Sequence, residues 1–172
     1  MMMRPEKNEY AAYYETYVSL VEETDVVSVM ENQLSEVQNL LAEISEEKSN
    51  YRYSEGKWSI KELLGHLIDG QRIFAYRALR VARADETPME GFEQDGYIEN
   101  GNYDNRTFAD LIKEFSLLHQ ADVIFFKNLS DDSWLRVGTA NDSAVSVRAL
   151  AYIMVGHIRH HTNILRERYL AE

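Results

Sequence analysis

Two histidines, His157 and His161, stand four residues apart near the C-terminal end of the chain. On a helix that spacing projects both rings from one face, one turn apart, so two imidazoles can converge on a single ion, as in helical zinc motifs. Spacing alone is weak evidence. With five histidines in the chain, a separation of four arises by chance in roughly one arrangement in ten, and ordinary surface or hydrogen-bonded core histidines share it. The surroundings add weight. His157 follows Tyr152-Ile153-Met154-Val155-Gly156, and His66 lies within Leu63-Leu64-Gly65-His66-Leu67-Ile68, both apolar settings. A buried imidazole needs a partner for each ring nitrogen. Two buried histidine sites on separate long helices are best explained by a shared ligand, which makes His66, His157 and His161 the candidate metal ligands.

Asp69 lies three residues after His66, on nearly the same helix face. It could be a fourth ligand, an acceptor for an imidazole N–H, or a general base. It could equally be a surface carboxylate paired with Arg72 at the i,i+3 spacing. His160 points about 100° away from His161 and stays outside the ligand set. His119, in Leu117-Leu118-His119-Gln120, has no partner at a useful spacing and reads as structural. Trp58 and Trp134 read as core or staple residues. Tyr10, Tyr13, Tyr14 and Tyr17 recur at helical spacing, which suits packing more than a pocket mouth. There is no phosphate-binding glycine loop, no Gly-x-Ser-x-Gly elbow and no dinucleotide fingerprint.

The elements that would carry these residues are helices. Only 2 prolines and 8 glycines interrupt 172 residues, a length that fits one domain, taken as 1–172. A short tyrosine-bearing stretch from Asn8 to Val21 precedes a helix from about Val26 to Glu47, striped by Val29, Met30, Leu34, Val37, Leu40, Leu41 and Ile44. A second long helix starts near Trp58 and continues to about Ala84. Ser59 or the residues just before it can supply its N-cap, and Glu62 completes a capping box if Ser59 is the cap. Asp85 to Arg106, with Pro88, Gly91, Gly96 and Gly101, reads as a long irregular connection, a kind of segment usually functional or mobile. Thr107 to Leu129 and Val145 to Leu170 supply the remaining long helices, with a loop from Ser130 to Ala144 between them. Four long helices with one apolar stripe each make an all-α four-helix bundle with a short extra N-terminal helix. A crossover through 85–106 would give it up-down-down-up topology.

Composition narrows function further. The formal charge is −11, from 29 acidic against 18 basic residues, and such a surface repels phosphate backbones, so no nucleic-acid partner is expected. Arg72, Arg77, Arg80 and Arg83 interleave with apolar residues along one helix and read as a solvated face or as salt bridges. With no cysteine, a metal must be held by His, Asp or Glu, and no disulfide or cysteine nucleophile exists. Met1 to Tyr10 carries Arg4, Glu6, Lys7 and Glu9 where a secretory signal would be apolar. No apolar run approaches the ~18 residues of a membrane span. The expectation is a cytoplasmic protein with no membrane partner.

Three motifs, in order, resemble one family. Gly56-Lys57-Trp58-Ser59-Ile60-Lys61-Glu62-Leu63-Leu64-Gly65-His66-Leu67-Ile68-Asp69 resembles the second helix of the DinB-like superfamily, which includes the YfiT-like metal-dependent hydrolases. Glu86-Thr87-Pro88-Met89-Glu90-Gly91-Phe92 resembles the connection after that helix, and Gly156-His157-Ile158-Arg159-His160-His161 the signature of the last helix. The resemblance runs from about Val26 to Leu170. It implies the up-down-down-up bundle, a divalent metal such as zinc or nickel on His66, His157 and His161, and a homodimer. It also implies a small-molecule substrate, with either hydrolysis or transfer of a low-molecular-weight thiol cosubstrate. Gly65 and Gln71 stand where some YfiT-like members carry extra histidines, which weakens transfer of any one member's substrate. Three neutral imidazoles would leave an ion its full charge and an open position, as in catalytic sites. Asp69 would then be the catalytic proton acceptor. The alternative is a non-catalytic metal-binding stress-response module, marked by a fourth protein ligand such as Asp69 and no cavity beside the ion. A third reading is a helical interaction protein with no metal.

Overall fold

The computed structural model describes residues 4–171; Met1 to Met3, part of the segment read as lacking a signal, and Glu172 lie outside it, as do those ends of the 1–172 domain. The helices are α1 (Glu15–Val18), α2 (Val26–Ala42), α3 (Ile60–Ala82), α4 (Gln94–Gly101), α5 (Phe108–Lys127), α6 (Asp131–Trp134) and α7 (Val147–Ile164). A hairpin of β1 (Val137–Ala140) and β2 (Ser143–Ser146) precedes α7. Asp25, Ser59, Thr107 and Ser146 cap the four long helices, each accepting from a backbone amide in the first turn. At Ser59 the predicted capping box is complete, with Glu62 returning a bond to the Ser59 amide.

Side-chain bonds between helices fix the topology. Gln38 Nε2 donates to Ser116 Oγ and Lys127 Nζ to Glu31, so α2 and α5 are antiparallel. Ser59 reaches Asp104 just before α5, and Gln71 reaches His119 and Asp122, so α3 and α5 are parallel. The Tyr169 hydroxyl donates to the Trp58 carbonyl, while the His66–His157 contact lies further up, so α3 and α7 are antiparallel. The order is up-down-down-up, as expected.

Four segments depart from the sequence reading. The first stretch is broken into short helical turns, with only Glu15–Val18 α-helical. Helix α2 ends at Ala42, five residues short of Glu47. Beyond it the Ser45 and Ser49 hydroxyls bond the local backbone, and Glu46 turns its carboxylate to the Phe108 amide and Lys61; such local bonds compete with helix continuation. The connection 85–106 is more ordered than its glycines suggest. Its Met89 pairs with the backbone of Thr139 and Asn141, and α4 follows with Glu93 as N-cap. The expected loop 130–144 holds α6 and most of the hairpin, which turns on Asn141 and Asp142, both left-handed at φ 50° and 58°.

The interior is two apolar cores stacked along the bundle. One joins α1 and the N-terminal half of α7 to Phe74, Ala78, Val81 and Phe126. The other joins Leu63, Leu64, Leu67, Phe115 and Ile158 to the end of α2. Between them runs a buried polar belt. Gln33 donates to the Val155 carbonyl, and Gln71 Nε2 lies 3.2 Å from His119 Nδ1 and 3.1 Å from Asp122 Oδ2. His119 Nε2 is 2.8 Å from the Met30 carbonyl, so Nε2 carries the hydrogen and Nδ1 accepts from Gln71. His119 is thus a strut between α2, α3 and α5.

Asp122 is the strained member of that belt. Burial raises its pKa to about 7, and the one Gln71 bond only partly offsets this. Its folded pKa lies above the unfolded value near 3.9, so the folded state binds the extra proton between the two. Stability is full below about pH 4 and falls as pH rises towards 7, by on the order of a few kcal/mol in total for this group. Asp122→Asn is expected to be more stable than the parent at pH 8, to lose most of that slope, and to offer Gln71 Oε1, buried without a partner, a donor. Urea unfolding at pH 5 and pH 8 on both proteins checks it.

A candidate metal centre between two cavities

Helix α3 carries His66 and helix α7 carries His157 and His161, and all three are buried. The antiparallel packing of these helices brings the three rings together at the polar belt. Ring centroids lie 4.7 to 4.8 Å apart in every pairing. One nitrogen from each ring falls within 4.8 Å of the others, and His66 Nε2 and His157 Nε2 are 2.9 Å apart. Nitrogens sharing one tetrahedral ion at about 2.0–2.1 Å would lie ~3.3 Å from each other, so small ring movements suffice.

The electrostatics suit the same conclusion. Burial lowers the His66 pKa to about 4, helped by the nearby His160. Burial also holds His157 and His161 far below the ordinary imidazole value, and their neighbours in the cluster add to it. All three are therefore neutral at physiological pH, with lone pairs available. Beyond the His66–His157 contact, no hydrogen bond engages these rings among the described residues. Three converging neutral imidazoles with free lone pairs fit a divalent ion better than they fit one another.

The surrounding shell positions the rings. Tyr17 meets His157 edge-on at 5.1 Å and His160 at 5.4 Å, Phe74 meets His157 at 5.6 Å, and Trp58 lies 4.9 Å from His66. Two glycines permit these approaches. A Cβ at Gly70 would stand 2.9 Å from His157 Cε1, and one at Gly156 would stand 2.0 Å from the Tyr17 carbonyl oxygen. The tyrosine stretch, read as packing, also forms part of a wall: Tyr13, Tyr14 and Tyr17 line a cavity of about 250 Å³ that reaches His66 and His157. A second cavity of about 320 Å³, past Trp58 and Tyr53, reaches His161.

The remaining candidates fall elsewhere. Asp69 is outside the cluster of ligand atoms and outside the lining of both cavities. Its Oδ2 accepts a 2.6 Å bond from the Tyr103 hydroxyl, and burial raises its pKa against the lowering effect of that bond. Arg72 pairs with Glu114 at 2.7 Å and not with Asp69. Arg80 pairs with Asp85, and Arg83 lies 6.0 Å from the Phe125 ring. Arg77 contradicts the reading of a solvated face: it is 4% exposed, forms no salt bridge among the described residues, and lines the first cavity. Sequence reasoning missed Arg77, Gly70 and Gly156. Mid-helix glycines cost about 1 kcal/mol against alanine, which was the available signal for the latter two.

The fold and this site together define a helical bundle built around a histidine cluster. Residues 30–165 match the model of the DinB superfamily, and the chain belongs to that family. Among solved structures the chain is similar to YfiT from Bacillus subtilis, described as a probable metal-dependent hydrolase with an unusual four-helix bundle topology. The TM-score is 0.65 at 17% identity, covering 96% of this chain and 93% of that one. It is also similar to a mycothiol-dependent maleylpyruvate isomerase, with a TM-score of 0.68 at 13% identity, covering 84% of this chain and 61% of that one. No curated protein sequence matches the chain. Among the described residues, no helix is long and apolar enough to cross a membrane.

Proposed function

We propose that His66, His157 and His161 hold one divalent ion, zinc or nickel, and that the chain is a metal-dependent enzyme acting on a small molecule. The observation that carries this reading is the meeting of three neutral, buried imidazoles at the inner ends of two cavities. A structural metal site is closed by a fourth protein ligand, whereas a catalytic one keeps a position open. No Asp or Glu joins the cluster among the described residues, and space adjoins it, which favours the enzyme over the non-catalytic module.

A divalent ion on three neutral ligands supplies Lewis acidity that makes a water or a thiol nucleophilic near neutral pH. The chain supplies the rest. Tyr17, Phe74 and Trp58 pack against the imidazoles and fix their orientation. Two openings suit a reaction of two partners, so transfer of a low-molecular-weight thiol to an electrophile is the preferred chemistry and hydrolysis the second. Assembly as a homodimer belongs to the same reading. Leu117 and Ile124, 58% and 63% exposed and seven residues apart on α5, give one apolar stripe for it.

Turnover of a panel of thiols with electrophiles, and of small esters and amides, by zinc- or nickel-loaded protein tests the proposal. Activity that is lost on chelation and restored by metal is expected; no turnover at full metal occupancy would overturn it. Asp69 lines neither cavity, so its part as proton acceptor rests on substitution alone. Asp69→Asn can still accept the Tyr103 hydroxyl, so a lost base lowers kcat by about 100-fold or more with little change in Tm. A role confined to holding Tyr103 leaves kcat as well as Tm near the parent's in Asp69→Asn and lowers Tm only in Asp69→Ala.

A further inference from the structure

The first cavity has a cationic end. Arg77 is 4% exposed, and among the described residues no carboxylate lies within salt-bridge distance of it. Its Nη2 donates to the Glu90 carbonyl at 2.8 Å, and its Nη1 lies 3.4 Å from the Tyr14 hydroxyl. These neutral partners fix the guanidinium in place but leave its charge unmatched. Buried charges are ordinarily paired, because desolvation without a counter-ion is costly. Glu93, the acidic residue among those lining the cavity, is engaged elsewhere: its Oε2 accepts from the Gly96 amide as the cap of α4. The other arginines of this helix show the contrast, since Arg72 and Arg80 each have a carboxylate.

His66 and His157 line the same cavity, and Phe74 touches both His157 at 5.6 Å and Tyr14, the partner of Arg77, at 6.1 Å. Gly70, which packs on His157, and Arg77 are seven residues apart on α3, about 10 Å along the axis. The volume of about 250 Å³ corresponds to about eight water-sized groups.

We infer that Arg77 is the anchor for a carboxylate-bearing small molecule, whose anionic end pairs with the guanidinium while its other end lies against the histidine cluster. A planar guanidinium held by two fixed acceptors presents its remaining N–H groups in the fork that a carboxylate matches. Tyr14 and Phe74, 6.1 Å apart and edge to face, wall the apolar middle of the molecule. The inference names the substrate class of the proposed enzyme and rests on that reading for the cavity's role; the pairing with Arg77 does not require the ion.

Calorimetric titration of hexanoate against hexanamide, and of benzoate against benzamide, tests it on chelator-treated and on metal-loaded protein. In the metal-free protein the carboxylates should bind about tenfold or more tightly than their amides, the margin of a charge-assisted hydrogen bond. Arg77→Gln should abolish that preference and Arg77→Lys should keep part of it. Equal affinity for acid and amide, no carboxylate binding at millimolar concentration, or a preference that survives Arg77→Gln would each overturn the inference. A preference seen only with metal and indifferent to Arg77 would also overturn it, placing the carboxylate on the ion. If Arg77→Gln does not fold, the wild-type comparison and Arg77→Lys still decide. Failure of the metal reading would show separately, as no metal uptake by the same wild-type samples.

Discussion

His157→Ala is expected to leave the purified protein with almost no bound metal, where the parent retains about one ion per chain after dialysis. His157 touches both other members of the cluster: it is 2.9 Å from His66 at Nε2, and its ring lies 4.7 Å from that of His161. Removing it leaves one imidazole on each of two helices, too few to hold a divalent ion against buffer and chelator. The ring also fills the space against Gly70, Phe74 and Tyr17. Its loss therefore costs some packing as well, about 2–5 kcal/mol by analogy with other large-to-small core changes. Elemental analysis by mass spectrometry, with circular dichroism to confirm folding, reads both effects. Metal content equal to the parent's would remove His157 from the ligand set.

The second large effect is expected at Gly156. Substitution by alanine normally strengthens a helix interior by about 1 kcal/mol. Here it should lower Tm by several degrees or more. The added Cβ would meet the Tyr17 carbonyl oxygen at 2.0 Å and its carbon at 2.5 Å, both backbone atoms that no side-chain rotation can move. Helix α1 must lift from α7, and overpacking of this kind costs about 1–3 kcal/mol or more. Tyr17 lifts with it. That ring covers His157 and His160, so the cluster becomes more open to water. The expected signature is a fall in Tm together with faster loss of metal to a chelator. An unchanged or raised Tm would show that the close approach of α1 is dispensable.

The histidine cluster was legible because its signal is local on one helix and strongly contextual on the other. An i,i+4 pair must share a face, and His66 stands inside an apolar run that only a buried helix tolerates. The capping box at Ser59 was legible for the same reason, since its two bonds join residues three apart. What could not be read depends on partners distant in sequence. Arg77 looks like its neighbours Arg72 and Arg80 until the fold shows that the strap at Glu90 and the first tyrosines close over it. The hairpin before α7 turns on Asn141-Asp142, where a glycine would have been the stronger signal. The early end of α2 reflects Glu46 being drawn to α3 and the start of α5, a tertiary preference with no trace in helical periodicity.

X-ray absorption at the metal edge of protein loaded with one equivalent of zinc or nickel tests the histidine centre most directly. The expected spectrum has a first shell of light atoms at about 2.0–2.1 Å with the outer-shell scattering of three imidazole rings, reduced to fewer rings or lost in His66→Ala. A spectrum without imidazole scattering, or one unchanged when His66 is replaced, would contradict the account.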